Sequence, residues 1–179
     1  MTLLHYVRDA VRGTVPHRVF RSLVPSTFVA PPPYEVKREV IIEHGRRFGL
    51  RYFVETGTFL GETVEACLPH FDSLHTIELA EPLYREVVAR LAGESRVTCH
   101  LGHSPDRLAE ILPLPGPALF WLDAHYSGCV EKDGRNIQTA RGTDETPIVD
   151  ELEVILARCA GRDVILIDDA RAFDGTGGY

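Results

Sequence analysis

The sequence predicts one α/β domain built on an open, doubly wound and mostly parallel β-sheet. From Tyr52 onward, short β-branched or aromatic runs alternate with segments of helical spacing, a pattern typical of βα units. Connections of this kind are right-handed and place successive strands in parallel. The length of 179 residues allows a single domain with one sizeable core.

Five short runs rich in β-branched or aromatic residues are the predicted strands, and a turn follows each of them. These runs cover residues 52–54, 74–77, 97–101, 118–122 and 164–167. The last two contain LFWL and VILI, which are apolar on both faces. We therefore expect them to be central strands that helices cover on each side.

Three of the predicted helices carry a start signal, a proline at the first helical position, where a missing N–H group costs nothing. These prolines are Pro82, Pro105 and Pro147. The helix after Pro147 is predicted to bury one apolar stripe against the sheet. That stripe comprises Ile148, Leu152, Ile155, Leu156 and Cys159. The acidic residues of the same helix, Asp150, Glu151 and Glu153, are expected in solvent.

Two segments do not follow the alternation. Residues 1–33 combine a short amphipathic stretch with the proline-rich PSTFVAPPP, so we divide the chain into an N-terminal arm, 1–33, and a domain, 34–179. The arm either packs or is disordered, or it docks on a partner or a membrane surface. Residues 127–146 hold three glycines and show no periodicity, which is typical of a functional lid or a disordered loop.

Charge and composition exclude several classes of protein. The formal net charge is −7, and because residues 1–51 are net basic, the remainder of the chain is strongly acidic. A nucleic-acid backbone is therefore not an expected partner. No apolar run reaches the roughly 18 residues of a membrane span, so we expect no stable membrane insertion and a cytoplasmic location. The four cysteines show no C-x-x-C spacing, which argues against a zinc ribbon.

A glycine-containing loop follows the first predicted strand and is the first candidate site. Gly57 and Gly61 allow a sharp turn and close approach to a ligand, and the next helix starts near Gly61 with its N–H groups facing the same place. Glu78 ends the second strand, where an acid in a nucleotide-binding βαβ unit accepts hydrogen bonds from ribose hydroxyls. A purely structural turn and a surface charge are the alternatives. His103 follows the third strand and is expected to border the same pocket.

The ends of the fourth and fifth predicted strands form the second candidate site. Asp123 and His125 follow one strand, and Asp168 and Asp169 follow the other. Clustered carboxylates favour a bound cation, and oxygen ligands favour Mg²⁺ or Mn²⁺. His125 suits a general base that titrates near neutral pH, although it could also ligate the metal. The alternative is structural, with a turn cap at Asp168 and a packed His125.

With these residues the chain resembles the class I S-adenosylmethionine-dependent methyltransferases over residues 35–179. Glu55, Gly57 and Gly61 look like the E/D-x-G-x-x-x-G loop of that family, and Glu78 looks like its ribose-binding acid. The resemblance implies a Rossmann-like fold with strand order 3-2-1-4-5. It also implies a set of cofactor-binding residues. These are Glu55, Thr56, Gly57, Thr58, Gly61, Glu78, His103, Ser104 and Asp123.

Within that superfamily, LDAHY and IDDAR resemble the metal-dependent sugar O-methyltransferases of macrolide and aminocoumarin biosynthesis. The resemblance implies that Asp123, Asp168 and Asp169 are metal ligands. It also implies that Asp123 and His125 are catalytic, with His125 as the base where those enzymes typically have Asp. The family continues after the fifth strand with a hairpin that this sequence lacks. We therefore expect the edge of that strand to be covered by a second copy, a partner or the arm, or the chain to be a truncated product.

The resulting functional prediction is an O-methyltransferase that uses S-adenosylmethionine, assisted by Mg²⁺ or Mn²⁺, and acts on a hydroxyl of a small molecule such as a sugar. One alternative is a non-catalytic remnant of the fold that binds the cofactor or a partner. A second alternative is a metal-dependent hydrolase, which would use the acidic cluster but leave Glu78 and the glycine loop without a role.

Overall fold

The computed structural model of the chain describes residues 32–159, 161–168 and 170. Most of the N-terminal arm and the candidate ligand Asp169 therefore lie outside the described residues. The helices are α1 (Tyr34–Phe48), α2 (Glu62–Cys67), α3 (Glu81–Arg90), α4 (Ser104–Ile111) and α5 (Ile148–Arg158). The strands are β1 (Tyr52–Thr56), β2 (Ser73–Glu78), β3 (Val97–Leu101), β4 (Ala118–Leu122), β5 (Cys129–Lys132), β6 (Arg135–Gln138) and β7 (Val164–Ile167).

The main sheet has five strands in the order β3-β2-β1-β4-β7, and every pair in it is parallel. Because β7 is the fifth of the predicted strands, the observed order confirms the predicted 3-2-1-4-5 arrangement and the doubly wound α/β class. The chain leaves β1 towards β2 on one side, whereas β4 pairs on the other side. This change of direction creates the crevice in which such sheets bind ligands.

Each face of the sheet packs against its own group of helices. Phe53 and Leu119 belong to one core cluster, which includes Ile41 of α1 and Val64 of α2. The opposite cluster contains residues of β1, β2 and β4 together with residues of α4 and α5. All five residues of β4 are buried, which confirms that this apolar run is a central strand.

The proline signals mark the helix starts to within one residue. Pro82 and Pro105 lie in the first turns of α3 and α4, as predicted. Pro147 instead precedes α5 as its capping residue, so that helix begins at Ile148. At the other end of a helix, α1 stops at Gly49, whose φ of 62° is the left-handed conformation that glycine adopts without steric cost.

The prediction for the buried stripe of α5 is partly wrong. Ile148 and Ile155 are buried as expected, but Leu156 is 47% exposed. Glu151, which we expected in solvent, is 1% exposed. Glu151 is buried because hydroxyl groups below the helix donate hydrogen bonds to its carboxyl group, as described for the site.

The prediction of an irregular segment at 127–146 is also wrong in part, because this segment contains the antiparallel hairpin β5–β6. Asp133 and Gly134 form its two-residue turn with φ values of 52° and 71°. Positive φ at both central positions is the pattern that matches the twist of a hairpin. Ile137 of β6 is buried in a small cluster with Leu60 and Leu83, which fixes the hairpin over the glycine loop.

Within the described parts of the chain, no helix is long and apolar enough to cross a membrane. Among the described residues, β7 lies at one edge of the sheet, pairs with β4 and is only partly buried, so the prediction that VILI is a central strand is wrong. What covers its other side stays a prediction.

Candidate functional site

A cavity of about 430 Å³ opens at the carboxyl ends of β1, β2, β4 and β7. This volume lies within the range of small-molecule and cofactor sites. The glycine loop, Glu78 and the segment after β3 line one part, and α1, the end of β4 and the β5–β6 hairpin line the rest. Of the predicted cofactor-binding residues, most line the cavity. These are Glu55, Gly57, Thr58, Glu78, His103, Ser104 and Asp123.

The loop after β1 requires glycine at Gly57. Its φ is 81°, and a Cβ atom placed there would lie only 2.5 Å from the carbonyl oxygen of Asp123. The glycine therefore lets the loop after β1 touch the backbone of the loop after β4. Gly61, with φ of 75°, caps the start of α2, as predicted, but its position is outside the cavity lining.

Glu78 fixes the shape of the glycine loop. Its Oε2 accepts a hydrogen bond from the backbone N–H of Phe59, and its Oε1 accepts one from the N–H of Ala80, both at 2.8 Å. Phe59 itself has φ of 51°, a strained value for a residue other than glycine. Burial raises the pKa of Glu78, and the backbone N–H groups oppose this shift. Glu78 thus holds the loop and also faces the cavity.

Glu55 is buried below the loop. It accepts a hydrogen bond from Thr76 Oγ1 at 2.7 Å, and Thr76 Oγ1 lies 2.6 Å from Thr58 Oγ1. Burial, more than any neighbouring charge, raises the pKa of Glu55 to about 8. The carboxyl group is therefore largely protonated at neutral pH, and it is linked through Thr76 to the loop that lines the cavity.

Glu151 joins two predicted site residues, and sequence reasoning missed it. Ser104 Oγ donates a hydrogen bond to Glu151 Oε1, and the Thr56 hydroxyl donates to the same carboxyl group. Burial raises the pKa of Glu151 to about 7. Thr56 is fully buried and lies outside the cavity lining, so in this structure it supports the site from below.

Replacing Glu151 by Ala is expected to lower the free energy of unfolding by about 1–3 kcal/mol, because the buried Ser104 hydroxyl loses its partner. Chemical denaturation monitored by circular dichroism measures this change. Asp150→Ala is the matched control, since the Asp150 side chain is exposed one residue earlier on the same helix. Equal destabilisation by both substitutions would contradict a specific role for the buried carboxyl group.

The ends of β4 and β7 bring Asp123, His125 and Asp168 together, as the sequence predicts. Asp123 Oδ1 lies 3.2 Å from His125 Nδ1, and the Asp168 carboxylate forms an ion pair with the Lys37 ammonium group of α1. Burial raises the pKa of Asp123 to about 6, and the negative charge of Asp168 acts in the same direction. The hydrogen bond from His125 and the charge of Lys37 oppose this shift.

While Lys37 holds Asp168, the described donors do not form a divalent metal site. Within residues 32–159, 161–168 and 170, no group of three or more His, Cys, Asp or Glu side chains is arranged to hold a metal ion. Asp169, the third predicted ligand, lies outside these residues. One of the two remaining carboxylates, Asp168, already binds the Lys37 ammonium group.

Several residues of the cavity wall were not predicted from the sequence. The Tyr34 ring lies 5.0 Å from Lys37 Nζ and 5.3 Å from Lys132 Nζ. Arg38 and Lys132 both contact Glu62 Oε2, at 2.8 and 2.6 Å. In the sequence the cations of α1 belong only to a generally basic N-terminal region, and nothing local shows that Lys37 reaches Asp168 at the end of β7.

Comparisons with known proteins give the fold. No protein-family model and no curated protein match the sequence. Among solved structures, the chain is similar to the S-adenosylhomocysteine-bound methyltransferase PaMTH1 of Podospora anserina, with a TM-score of 0.55 and 15% identity over 74% of this chain and 52% of that one. It is also similar to a precorrin 8W decarboxylase of Methanobacterium thermoautotrophicum, with a TM-score of 0.52 and 14% identity over 78% and 64%.

A third similar structure is the O-methyltransferase TomG of Streptomyces achromogenes in complex with S-adenosylmethionine, at 21% identity and a TM-score of 0.45. That alignment covers 51% of this chain and 44% of TomG, so the chain spans about half the length of these proteins. At these identities the comparisons establish the fold. The chain has a Rossmann-like α/β fold that is similar to that of the methyltransferase PaMTH1.

Proposed function

We propose that this protein is an S-adenosylmethionine-dependent methyltransferase that methylates a hydroxyl group of a small molecule. The observation that carries the proposal is the cavity itself, which has the glycine loop and Glu78 on one side and the Asp123–His125 pair on the other. The fold supports it, because the position of this cavity at the switch point of the sheet is where such folds bind ligands.

The proposed cofactor-binding half comprises the glycine loop, Glu78 and the segment at His103 and Ser104. Glu78 suits the ribose hydroxyls because its carboxylate has lone pairs beyond the two that accept from Phe59 and Ala80. The carboxylates that line the cavity suit a cationic ligand. When bound, S-adenosylmethionine supplies an electrophilic methyl group on a positively charged sulfur.

The proposed catalytic half is the Asp123–His125 pair. Asp123 holds the imidazole through Nδ1, so Nε2 is the nitrogen that takes the proton of the acceptor hydroxyl as its oxygen gains the methyl group. The negative charge of Asp123 stabilises the imidazolium that forms. Holding the acceptor close to the methyl group accounts for much of the rate in a displacement of this kind.

The acceptor would enter between α1 and the β5–β6 hairpin, which occupies part of the segment predicted as a lid. Lys132 of the hairpin contacts Glu62 of α2, and Arg135 binds Glu86 of α3 through two hydrogen bonds of 2.9 Å. These contacts keep the hairpin over the cavity, where it would exclude water from the reaction. A sugar hydroxyl, a second copy along β7 and a cytoplasmic location remain predictions.

The first test is Glu78→Gln. The amide group cannot accept from both the Phe59 and the Ala80 N–H groups, so we expect S-adenosylhomocysteine affinity to fall by about 2–3 kcal/mol, roughly 30- to 150-fold. Isothermal titration calorimetry measures the loss. Glu81→Gln, at an exposed position of α3 nearby, is the control and should retain wild-type affinity. Unchanged affinity in Glu78→Gln would contradict the proposed cofactor-binding half.

The same titration separates the alternatives. A non-catalytic remnant would bind S-adenosylhomocysteine but transfer no methyl group from methyl-labelled S-adenosylmethionine to any member of a panel of hydroxylated acceptors. A metal-dependent hydrolase would bind neither compound. The proposed methyltransferase would bind both and label at least one acceptor.

A further inference from the structure

We propose that the Lys37 ammonium group is the resident cation of the acidic cluster, in the position where the sequence resemblance places a divalent metal. Lys37 would hold the Asp168 carboxylate in place and offset the negative charge of Asp123, so that the Asp123–His125 pair works without a bound metal ion. The inference concerns the site of the proposed methyltransferase, and it rests on that function only for its activity measurement.

The first support is the position of Lys37. Lys37 lies on α1, the helix that precedes the first strand of the sheet in the sequence. Its ammonium group pairs with Asp168 at the end of β7. The side chains of Lys37 and Asp168 are only 12% and 7% exposed. A lysine side chain is rarely buried to this extent unless its charge is paired.

The second support is the way in which the rest of the wall holds the ammonium group. Lys37 Nζ lies 5.0 Å from the centre of the Tyr34 ring, within the range of a cation–π contact. Tyr34 is one turn earlier on the same helix, so the ammonium group contacts this ring as well as the Asp168 carboxylate. Lys37 therefore has a built position and is not simply a surface side chain folded inward.

The third support is electrostatic. Asp123 is buried near Asp168, and the charge of Lys37 acts on both carboxylates. Two desolvated carboxylates need a cation in their vicinity. A divalent ion bound at Asp168 would lie close to the Lys37 ammonium group, and the repulsion between these two positive charges disfavours a metal while Lys37 is in place.

The test compares Mn²⁺ binding by wild type, Lys37→Met and Lys37→Arg, measured by electron paramagnetic resonance. Methionine keeps the length of the side chain and removes the charge, whereas arginine keeps the charge. We expect neither wild type nor Lys37→Arg to bind Mn²⁺ through Asp168. Lys37→Met should gain one Mn²⁺ equivalent, and the additional substitution Asp168→Asn should remove it.

Two results would overturn the proposal. One is Asp168-dependent Mn²⁺ binding by wild type, which would show that a metal displaces Lys37. The other is a folded Lys37→Met protein, by circular dichroism, that gains no Mn²⁺. If Lys37→Met does not fold, the proposal is tested by comparing Mn²⁺ binding by wild type and by Asp168→Asn. Stronger Mn²⁺ binding by wild type would overturn it.

Activity provides a separate measurement. Methyl transfer by wild type should survive dialysis against EDTA without loss, and a loss that Mg²⁺ restores would contradict the role of Lys37. If the methyltransferase proposal is wrong but the role of Lys37 is right, the wild-type protein will not bind S-adenosylhomocysteine. Its Mn²⁺ binding will still be as expected.

Discussion

Replacing Gly57 by Ala is expected to abolish binding of S-adenosylhomocysteine. The φ of 81° costs an alanine residue about 1–2 kcal/mol. In addition, the new Cβ would lie 2.5 Å from the Asp123 carbonyl oxygen and 3.0 Å from the Ala124 Cα, and backbone atoms cannot move aside as a flexible side chain can. The loops after β1 and β4 must then separate, which deforms both halves of the cavity. Calorimetry with S-adenosylhomocysteine measures the effect.

Gly49→Ala is the matched control for this prediction. Gly49 also has a positive φ, of 62°, but a Cβ atom there meets nothing within 4 Å. We expect Gly49→Ala to lower the free energy of unfolding by about 1–2 kcal/mol and to leave binding unchanged. Wild-type affinity in a folded Gly57→Ala protein would show that contact between the two loops does not shape the site.

The free energy of unfolding should depend on pH through Glu55. Its pKa is raised to about 8 in the folded state, whereas the unfolded chain releases this proton near pH 4.5. Between these values the folded state holds more protons than the unfolded state, so stability falls as pH rises through the folded pKa. The slope for one such group is at most about 1.4 kcal/mol per pH unit. Glu151 acts in the same direction, with a folded pKa raised to about 7.

Urea denaturation between pH 5 and pH 8 tests this dependence in wild type and Glu55→Gln. Glutamine cannot ionise, so the variant should lose less stability than wild type as pH rises, by up to several kcal/mol across the range. The buried His75, whose pKa is lowered to about 4, has the opposite effect below pH 6.5, and the comparison of the two proteins cancels it. Glu43→Gln, an exposed control, should follow wild type. Parallel pH profiles for wild type and Glu55→Gln would contradict a protonated Glu55.

The sheet could be predicted because its signals are local. Each strand of the main sheet contains β-branched, aromatic or other apolar residues next to a turn, and LFWL in β4 is buried on both faces, as its composition indicates. Parallel βα units then restrict the strand order to few choices. The same topology explains why Asp123 and Asp168 meet: both residues follow neighbouring strands that point in one direction.

The errors arise where a tertiary contact overrides a local pattern. On its helix Glu151 looks like a solvated residue, and only the Ser104 and Thr56 hydroxyls explain its burial. Lys37 is separated from Asp168 by most of the chain, so no spacing could indicate the ion pair. The β5–β6 hairpin did carry a local signal, the dipeptide Asp133-Gly134, which is typical of a two-residue turn.

The central claim is that the cavity at the carboxyl ends of the strands is a site for S-adenosylmethionine. Calorimetric titration of the wild-type chain with S-adenosylhomocysteine tests it most directly. We expect saturable binding of one molecule per chain, with loss of binding in Gly57→Ala and retention in Gly49→Ala. Absence of heat of binding from a folded wild-type protein, or equal binding by all three proteins, would contradict it.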